Sequence, residues 1–552
     1  MKNQIKYIVS SLFLGGILST ACTDNFEKFN TRDGVLTDDK AQMDNNLEHG
    51  TTLYMRPMME GIYFNNADIG TNWTWQTMQN LVADMFCGYF HDMNTDFFGN
   101  NTCYVMTDGW NKTNWEFTYQ SSVPAINKSE RDNVKSNAYM AITKILKVAT
   151  LHRISDYYGP ICYKFNLEDP SSQGSSSQKE VYEQMFQDLD EALTLIGKVD
   201  KTSDAYKTDA FDILMRQGNR TLDGWARWAN SLRLRLAMRV SNVDKTMADG
   251  EAKKALTNTY GLIETNAQMV EISTENGYTN PIGTVGWNWW EVYENASMES
   301  FLVGYDEPRA DKYFAPAAGG SGDDKNWPIK MDIEGKFKGI PMGITKDGDI
   351  PHKNQHYQFH ARCKLTASDA APLMSAAEVW FLRAEAKLRG LTGATESVEN
   401  CYKKGVTLSF EQWGATGVTE YLNSTKTPSD YVDAFKTERN MKAVSTITPK
   451  WDESASPEVK LERIITQKWL ALYPEGCEAW AEQRRTGYPK LFKVLNNLSN
   501  GEIDTDIMIR RVPFPAALKT DQPALYQSLV EQLGGTDTGG TRLWWDAGQN
   551  RF

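Results

Sequence analysis

The sequence predicts a mainly α protein: a superhelix of helix hairpins with long loop-rich insertions and few short strands. Three observations predict it. Seven segments carry apolar residues at three- and four-residue steps. One central segment is apolar on two faces, as expected in a stack of hairpins rather than a lone surface helix. Two long intervening regions, about 60–130 and 266–374, are rich in Gly, Asn, Asp, Thr and Trp and break the periodicity.

The first element is a signal. Lys2 and Lys6 precede an uncharged, mostly apolar run from Tyr7 to Leu18, too short to span a bilayer, and Ser19-Thr-Ala-Cys22 offers a cleavage site. The predicted layout is a signal peptide over 1–21 and one domain over 22–552, with lipidation at Cys22; Ser19 stands where a lipobox usually has Leu. Acyl chains at about 0.8 kcal/mol per buried methylene would anchor the domain to a membrane without spanning it. The helical scaffold follows in two blocks, about 130–265 and 375–490. Within the first, Tyr139, Ile142, Leu146, Ala149 and Arg153 mark a helix over Ser136–Ser155. Tyr182, Met185, Leu189 and Ile196 mark one over Lys179–Ile196. Between Leu222 and Val240, Trp225, Trp228, Leu232 and Leu236 form one stripe, and Leu234, Ala237 and Met238 a second.

In the second block, Ala377, Phe381, Ala384 and Leu388 line a helix over Ser375–Arg389 that Gly390 stops. A partner follows over Glu396–Phe410, and small residues at the crossing with an aromatic on the second helix resemble a degenerate tetratricopeptide hairpin. Pro474 splits a last pair, Glu458–Tyr473 and Glu475–Arg485, and Met508–Val512 is a short strand candidate.

Composition excludes some functions. The formal charge of −12, or −14 once Lys2 and Lys6 leave with the signal, argues against nucleic acid, which wants a basic face. Besides Cys22 there are six scattered cysteines and no CxxC pair, so disulfides are not required. No nucleophile elbow, Walker loop or Rossmann glycine pattern occurs. Neither a catalytic residue nor a cofactor is expected. His352, His356 and His360 are four apart, but Pro351 and their polar surroundings break the helix that would align them, so no metal is expected.

Six motifs in order carry a resemblance. Asp156-Tyr-Tyr-Gly-Pro-Ile, Trp228-Ala-Asn-Ser-Leu-Arg, Glu378-Val-Trp-Phe-Leu-Arg-Ala-Glu-Ala, Ile464-Ile-Thr-Gln-Lys-Trp with Glu478-Ala-Trp and Arg484-Arg-Thr-Gly-Tyr-Pro, Arg511-Val-Pro-Phe-Pro, and Leu543-Trp-Trp-Asp resemble the SusD/RagB nutrient-binding family. Cys22-Thr-Asp-Asn-Phe-Glu is similar to the acidic leader of its surface-exported members. The resemblance implies four tetratricopeptide-like repeats and a variable region that binds ligand. It also implies a lipid-anchored protein on the outer face of the outer membrane, with a SusC-like TonB-dependent transporter as partner. Arg484, Arg485 and Glu478 are then core contacts rather than a catalytic set.

The expected ligand is an oligosaccharide. Aromatic faces take the C–H side of sugar rings, and nearby Asn, Asp, Gln or Arg take the hydroxyls. Trp287, Trp289 and Trp290 lie in a Gly/Asn-rich loop with no helical stripe to bury them. Trp73 and Trp75, two apart, would point the same way on an extended segment. Trp225, Trp228, Trp380, Trp469 and Trp480 occupy helical motif positions and read as core, and Trp544 and Trp545 match a family motif and read as structural. A peptide cargo, or a surface glycosidase, are the alternatives.

Overall fold

The computed structural model describes residues 50–63, 72–92, 94, 99–164, 174–275, 277–320, 330–345 and 357–548. Cys22, His352 and His356 lie outside these residues. The scaffold is four helix pairs. α1 (Asn137–Tyr158) packs on α2 (Gln178–Ile196), and α3 (Leu222–Val240) on α4 (Lys245–Leu256). α5 (Ala376–Leu388) packs on α6 (Val398–Trp413), and α7 (Pro457–Leu472) meets α8 (Gly476–Thr486). Contacts of α2 with α3, α3 with α5 and α5 with α7 make each pair lean on the next. The two apolar faces of α3 are thereby both covered, and all but two of its residues are buried.

Local chemistry fixes where these helices begin. Ser136, Thr221, Ser375, Ser397 and Ser456 each accept a hydrogen bond from the backbone N–H three residues on. Each such cap contributes about 1 kcal/mol. Ser177 and Glu180 form a reciprocal capping box on α2. At the α5–α6 crossing, Gly405 is required by close approach, since a Cβ there would lie 2.8 Å from the Phe381 ring.

Buried charge ties the pairs together. Arg485 of α8 donates two 2.7 Å bonds to Glu385 of α5 and one of 2.7 Å to Glu482. Arg235 forks onto Glu378 with two bonds of 2.7 Å, and Arg153 donates to Glu475 at 2.8 Å. Burial alone would raise Glu482, but Arg485, Lys468 and Arg239 hold it well below the usual carboxylate range. Glu478 pairs with Arg239 in the same network.

The strands are short. β1 (Phe90–His91), β2 (Val270–Ile272), β3 (Tyr293–Glu294), β4 (Phe314–Ala315), β5 (Arg362–Cys363) and β6 (Ala371–Met374) form two antiparallel sheets, ordered β1-β3-β5-β4 and β2-β6. The register sets Phe90 opposite Glu294 and Tyr293 opposite Arg362.

Three expectations need correction. Met508–Val512 is not a strand: the Arg510 N–H goes to the Gly539 carbonyl and that of Val512 to Tyr157, so no single neighbour forms a ladder. The first insertion is largely helical, with helices over Met55–Ile62, Asn72–Asp84 and Asp108–Asp132. Its polar composition suggested loops, but Gln76, Gln79, Asn80, Asn111 and Asn114 are buried within those helices. Trp380 is only partly buried, because it packs on the rim of the core; Trp225, Trp228, Trp469 and Trp480 are within it.

Candidate functional site

Two sequence-distant segments meet to build the site. A short helix, Asn72–Trp75, runs straight into a π-helical stretch, Gln76–Asp84. A turn at Pro281–Gly283 runs into a second π-helical turn, Thr284–Asn288. The two pack against each other. Asn280 starts the second segment: its side chain accepts from the Ile282 N–H at 3.2 Å and donates to the Asp369 carbonyl at 3.1 Å. Gly283 is needed for contact, because a Cβ would sit 1.9 Å from the Ala367 nitrogen.

Trp73 is 51 % exposed and Trp289 40 % exposed. They are the only tryptophans among the exposed large apolar side chains of the described residues, and they come from the two segments that pack together. Trp287 and Trp290 are half-buried beside them. The Arg362 guanidinium of β5 lies 3.6 Å from the Trp287 ring centroid and 4.2 Å from that of Trp290. Trp287 also donates from Nε1 to the Leu365 carbonyl at 2.8 Å. Trp290 turns the chain with a φ of +63°, a conformation disfavoured for a bulky side chain.

Trp75 does not belong to this surface. Its side chain is fully buried and stacks on Tyr63, with ring centroids 6.1 Å apart. The expectation of a shared direction assumed an extended chain. On the helix observed, residues two apart point to nearly opposite sides, so Trp73 faces out and Trp75 in.

Polar groups flank the tryptophans. Glu291 accepts from Gln76 Nε2 at 2.5 Å and from Asn94 Nδ2 at 2.9 Å, which joins the two segments next to Trp290. Burial, reinforced by the charge of Glu291, raises the Asp92 carboxyl well above the usual range. Further in, burial and the neighbouring Glu299 raise Glu294, and burial pushes Glu299 up to about 7 despite its bond to Lys338. His360 is buried against the Phe435 ring. The sequence reading missed Arg362, Glu291, Gln76 and Asn94. Nothing in their local spacing marks them, since pairing of β3 with β5 brings Arg362 to the site from beyond residue 360.

Two exposed indoles, Trp73 and Trp289, with a guanidinium, a carboxylate and amides nearby can hold a ligand with an apolar face and many hydroxyls. The fold is a helical scaffold whose insertions carry this aromatic surface. The family model for SusD-like proteins, described as SusD and RagB outer membrane lipoproteins, matches residues 28–546. A SusD homologue from Bacteroides vulgatus is 44 % identical, with 92 % of this chain and all of that one covered at a TM-score of 0.84. A chitin-binding SusD homologue from Flavobacterium johnsoniae is 36 % identical over 92 % of this chain and all of its own, with a TM-score of 0.83. No curated protein matches. This chain therefore belongs to the SusD-like family of outer membrane lipoproteins. Among the described residues, no helix is long and apolar enough to cross a membrane.

Proposed function

We propose that this protein captures an oligosaccharide on the face formed by Trp73, Trp287, Trp289 and Trp290, acting as a binder and not as an enzyme. The observation that carries the reading is the pairing of two exposed tryptophans, Trp73 and Trp289, on adjoining elements. Arg362, which lies over the Trp287 and Trp290 rings, and Glu291 supply polar groups beside the exposed indoles. The chitin-binding relative supports a glycan as the ligand class. In the same reading, residues 1–21 are removed, the single domain 22–552 is anchored through lipid on Cys22, and it faces the exterior. It hands its ligand to a SusC-like TonB-dependent transporter.

Calorimetric titration of the purified protein with a panel that includes chito-oligosaccharides tests the site. At least one glycan should bind, and Trp73→Ala with Trp289→Ala should abolish the heat. The reading fails if no glycan binds, if binding survives both substitutions, or if product accumulates and one carboxylate substitution stops it. Cys22→Ala should release the protein from the membrane fraction, and the transporter should co-purify with the anchored form.

A further inference from the structure

A second concave surface adjoins the tryptophan face and uses none of its tryptophans. It is a cleft between the end of α6 and the sheet of β2 and β6, with about 570 Å³ open to solvent. Met269, Leu365, Pro372, Trp413 and Pro474 give it apolar walls. Arg216, Glu271 and Asp369 bring polar groups to the same walls.

These groups are arranged for a neutral ligand. Arg216 forks onto Glu271, from Nε at 2.7 Å and from Nη2 at 3.0 Å, and its Nη1 donates to the Asn266 carbonyl at 3.0 Å. That pair cancels its own charge, which leaves Asp369 as the one unbalanced group of the lining. A guanidinium carries five N–H groups, so two remain to donate, on a side chain that is 39 % exposed. Asp369 takes both bonds from Thr366, at 2.6 and 2.8 Å, on Oδ2, and Oδ1 stays open to accept. Donors and acceptors held in place beside an indole and two prolines match a sugar ring, with hydroxyls on its edge and C–H groups on its faces.

The chain from Leu365 to Ala370 is common to both surfaces. Leu365, Asp369 and Ala370 line the cleft. The same segment holds the turn that leads into Trp289 and Trp290. The Leu365 carbonyl accepts from Trp287 Nε1 at 2.8 Å, the Ala367 carbonyl from the Asn280 N–H at 3.0 Å, and the Asp369 carbonyl from Asn280 Nδ2 at 3.1 Å. Leu365 thus bonds to Trp287 and lines the cleft as well.

We propose that this cleft is an extension subsite, taking sugar units beyond those held at Trp73 and Trp289 and so favouring longer chains, a role that rests on the glycan reading of that face. Calorimetry with chito-, cello-, malto- and xylo-oligosaccharides tests it, comparing the hexamer with the shortest member of the same series that gives measurable heat. The hexamer should bind tighter. Arg216→Ala and, separately, Ala370→Trp, which fills the cleft, should each weaken the hexamer roughly tenfold and leave the short chain unchanged. Tenfold is about 1.4 kcal/mol, within what one or two hydrogen bonds contribute net. A thermal melt checks that both variants fold, and Trp73→Ala with Trp289→Ala should remove binding of both lengths. The cleft proposal alone is overturned if the hexamer binds both variants as it binds the wild type, or if short and long chains weaken equally. Binding of no series at either length overturns the glycan reading together with it.

Discussion

Arg362→Ala is the most direct test of how the tryptophan face is held. The guanidinium contacts two rings, at 3.6 and 4.2 Å, from a partly exposed position. Each cation–π contact is worth about 0.5–1 kcal/mol when exposed and about 2 when desolvated. Two of them give roughly 1–3 kcal/mol for keeping Trp287 and Trp290 in place. Trp290 is also in a left-handed conformation that costs on the order of 1 kcal/mol, and the stack offsets that cost. Removing the side chain lets Trp290 relax, so ligand binding must then reorder it. Affinity should fall between roughly fivefold and 150-fold. Arg362→Lys keeps the charge but loses the flat guanidinium, and should fall in between. Calorimetry gives the affinity and a thermal melt checks the fold, which should be intact because only the Arg362 backbone takes part in the sheet. Wild-type affinity in Arg362→Ala, with the melt unchanged, would refute the argument.

The two tryptophans of Asn72–Trp75 should separate binding from stability. Trp73→Ala should leave the unfolding midpoint within about 0.5 kcal/mol and weaken glycan binding, while Trp75→Ala should cost about 3–5 kcal/mol in denaturant titration. Glu385→Gln leaves Arg485 buried with one partner fewer and should cost about 3–5 kcal/mol by the same measurement. Burial raises Glu299 to about 7 from 4.5, so the folded state holds its proton more tightly than the unfolded chain. Stability from this group is then complete below about 4.5 and lost as pH rises towards 7, by up to about 3 kcal/mol. Glu299→Gln should flatten that slope in denaturation midpoints taken across the window. An unchanged slope would show that Glu299 is ionised throughout.

The scaffold was legible because its signal is local. A helix that buries one stripe repeats it every three or four residues, and α1, α2, α3 and α5 each begin within two residues of the positions predicted from that repeat. Helix over Asn72–Asp84 was illegible for a physical reason: beside Trp75, Met78, Leu81 and Val82 it buries Gln76, Thr77, Gln79 and Asn80, polar residues that look like loop residues in sequence. That error carried into the site, because an extended chain and a helix place Trp73 and Trp75 on one side or on two. Trp287, Trp289 and Trp290 could be singled out from the surrounding Gly and Asn. Arg362 could not, because its role depends on a strand register formed across about 70 residues.

That register is what assembles the candidate site. β1 follows the helix that carries Trp73, β3 follows Trp290, and β5 carries Arg362, so three two-residue strands bring all parts of the face together. Strands this short supply few ladder hydrogen bonds, and isolated pairs of strands are marginal in water. The hold comes instead from the aromatic layer beneath. Phe90 of β1 meets Phe314 of β4 edge-on at 6.0 Å and Tyr473 at 5.5 Å, and Tyr473 stacks on Tyr313 at 4.2 Å. Tyr473 follows α7, so the sheet is clamped to the ion-paired scaffold. Substitutions in that aromatic layer should therefore impair glycan binding without touching any residue of the tryptophan face, whereas changes in the exposed turns should alter affinity without loosening the sheet.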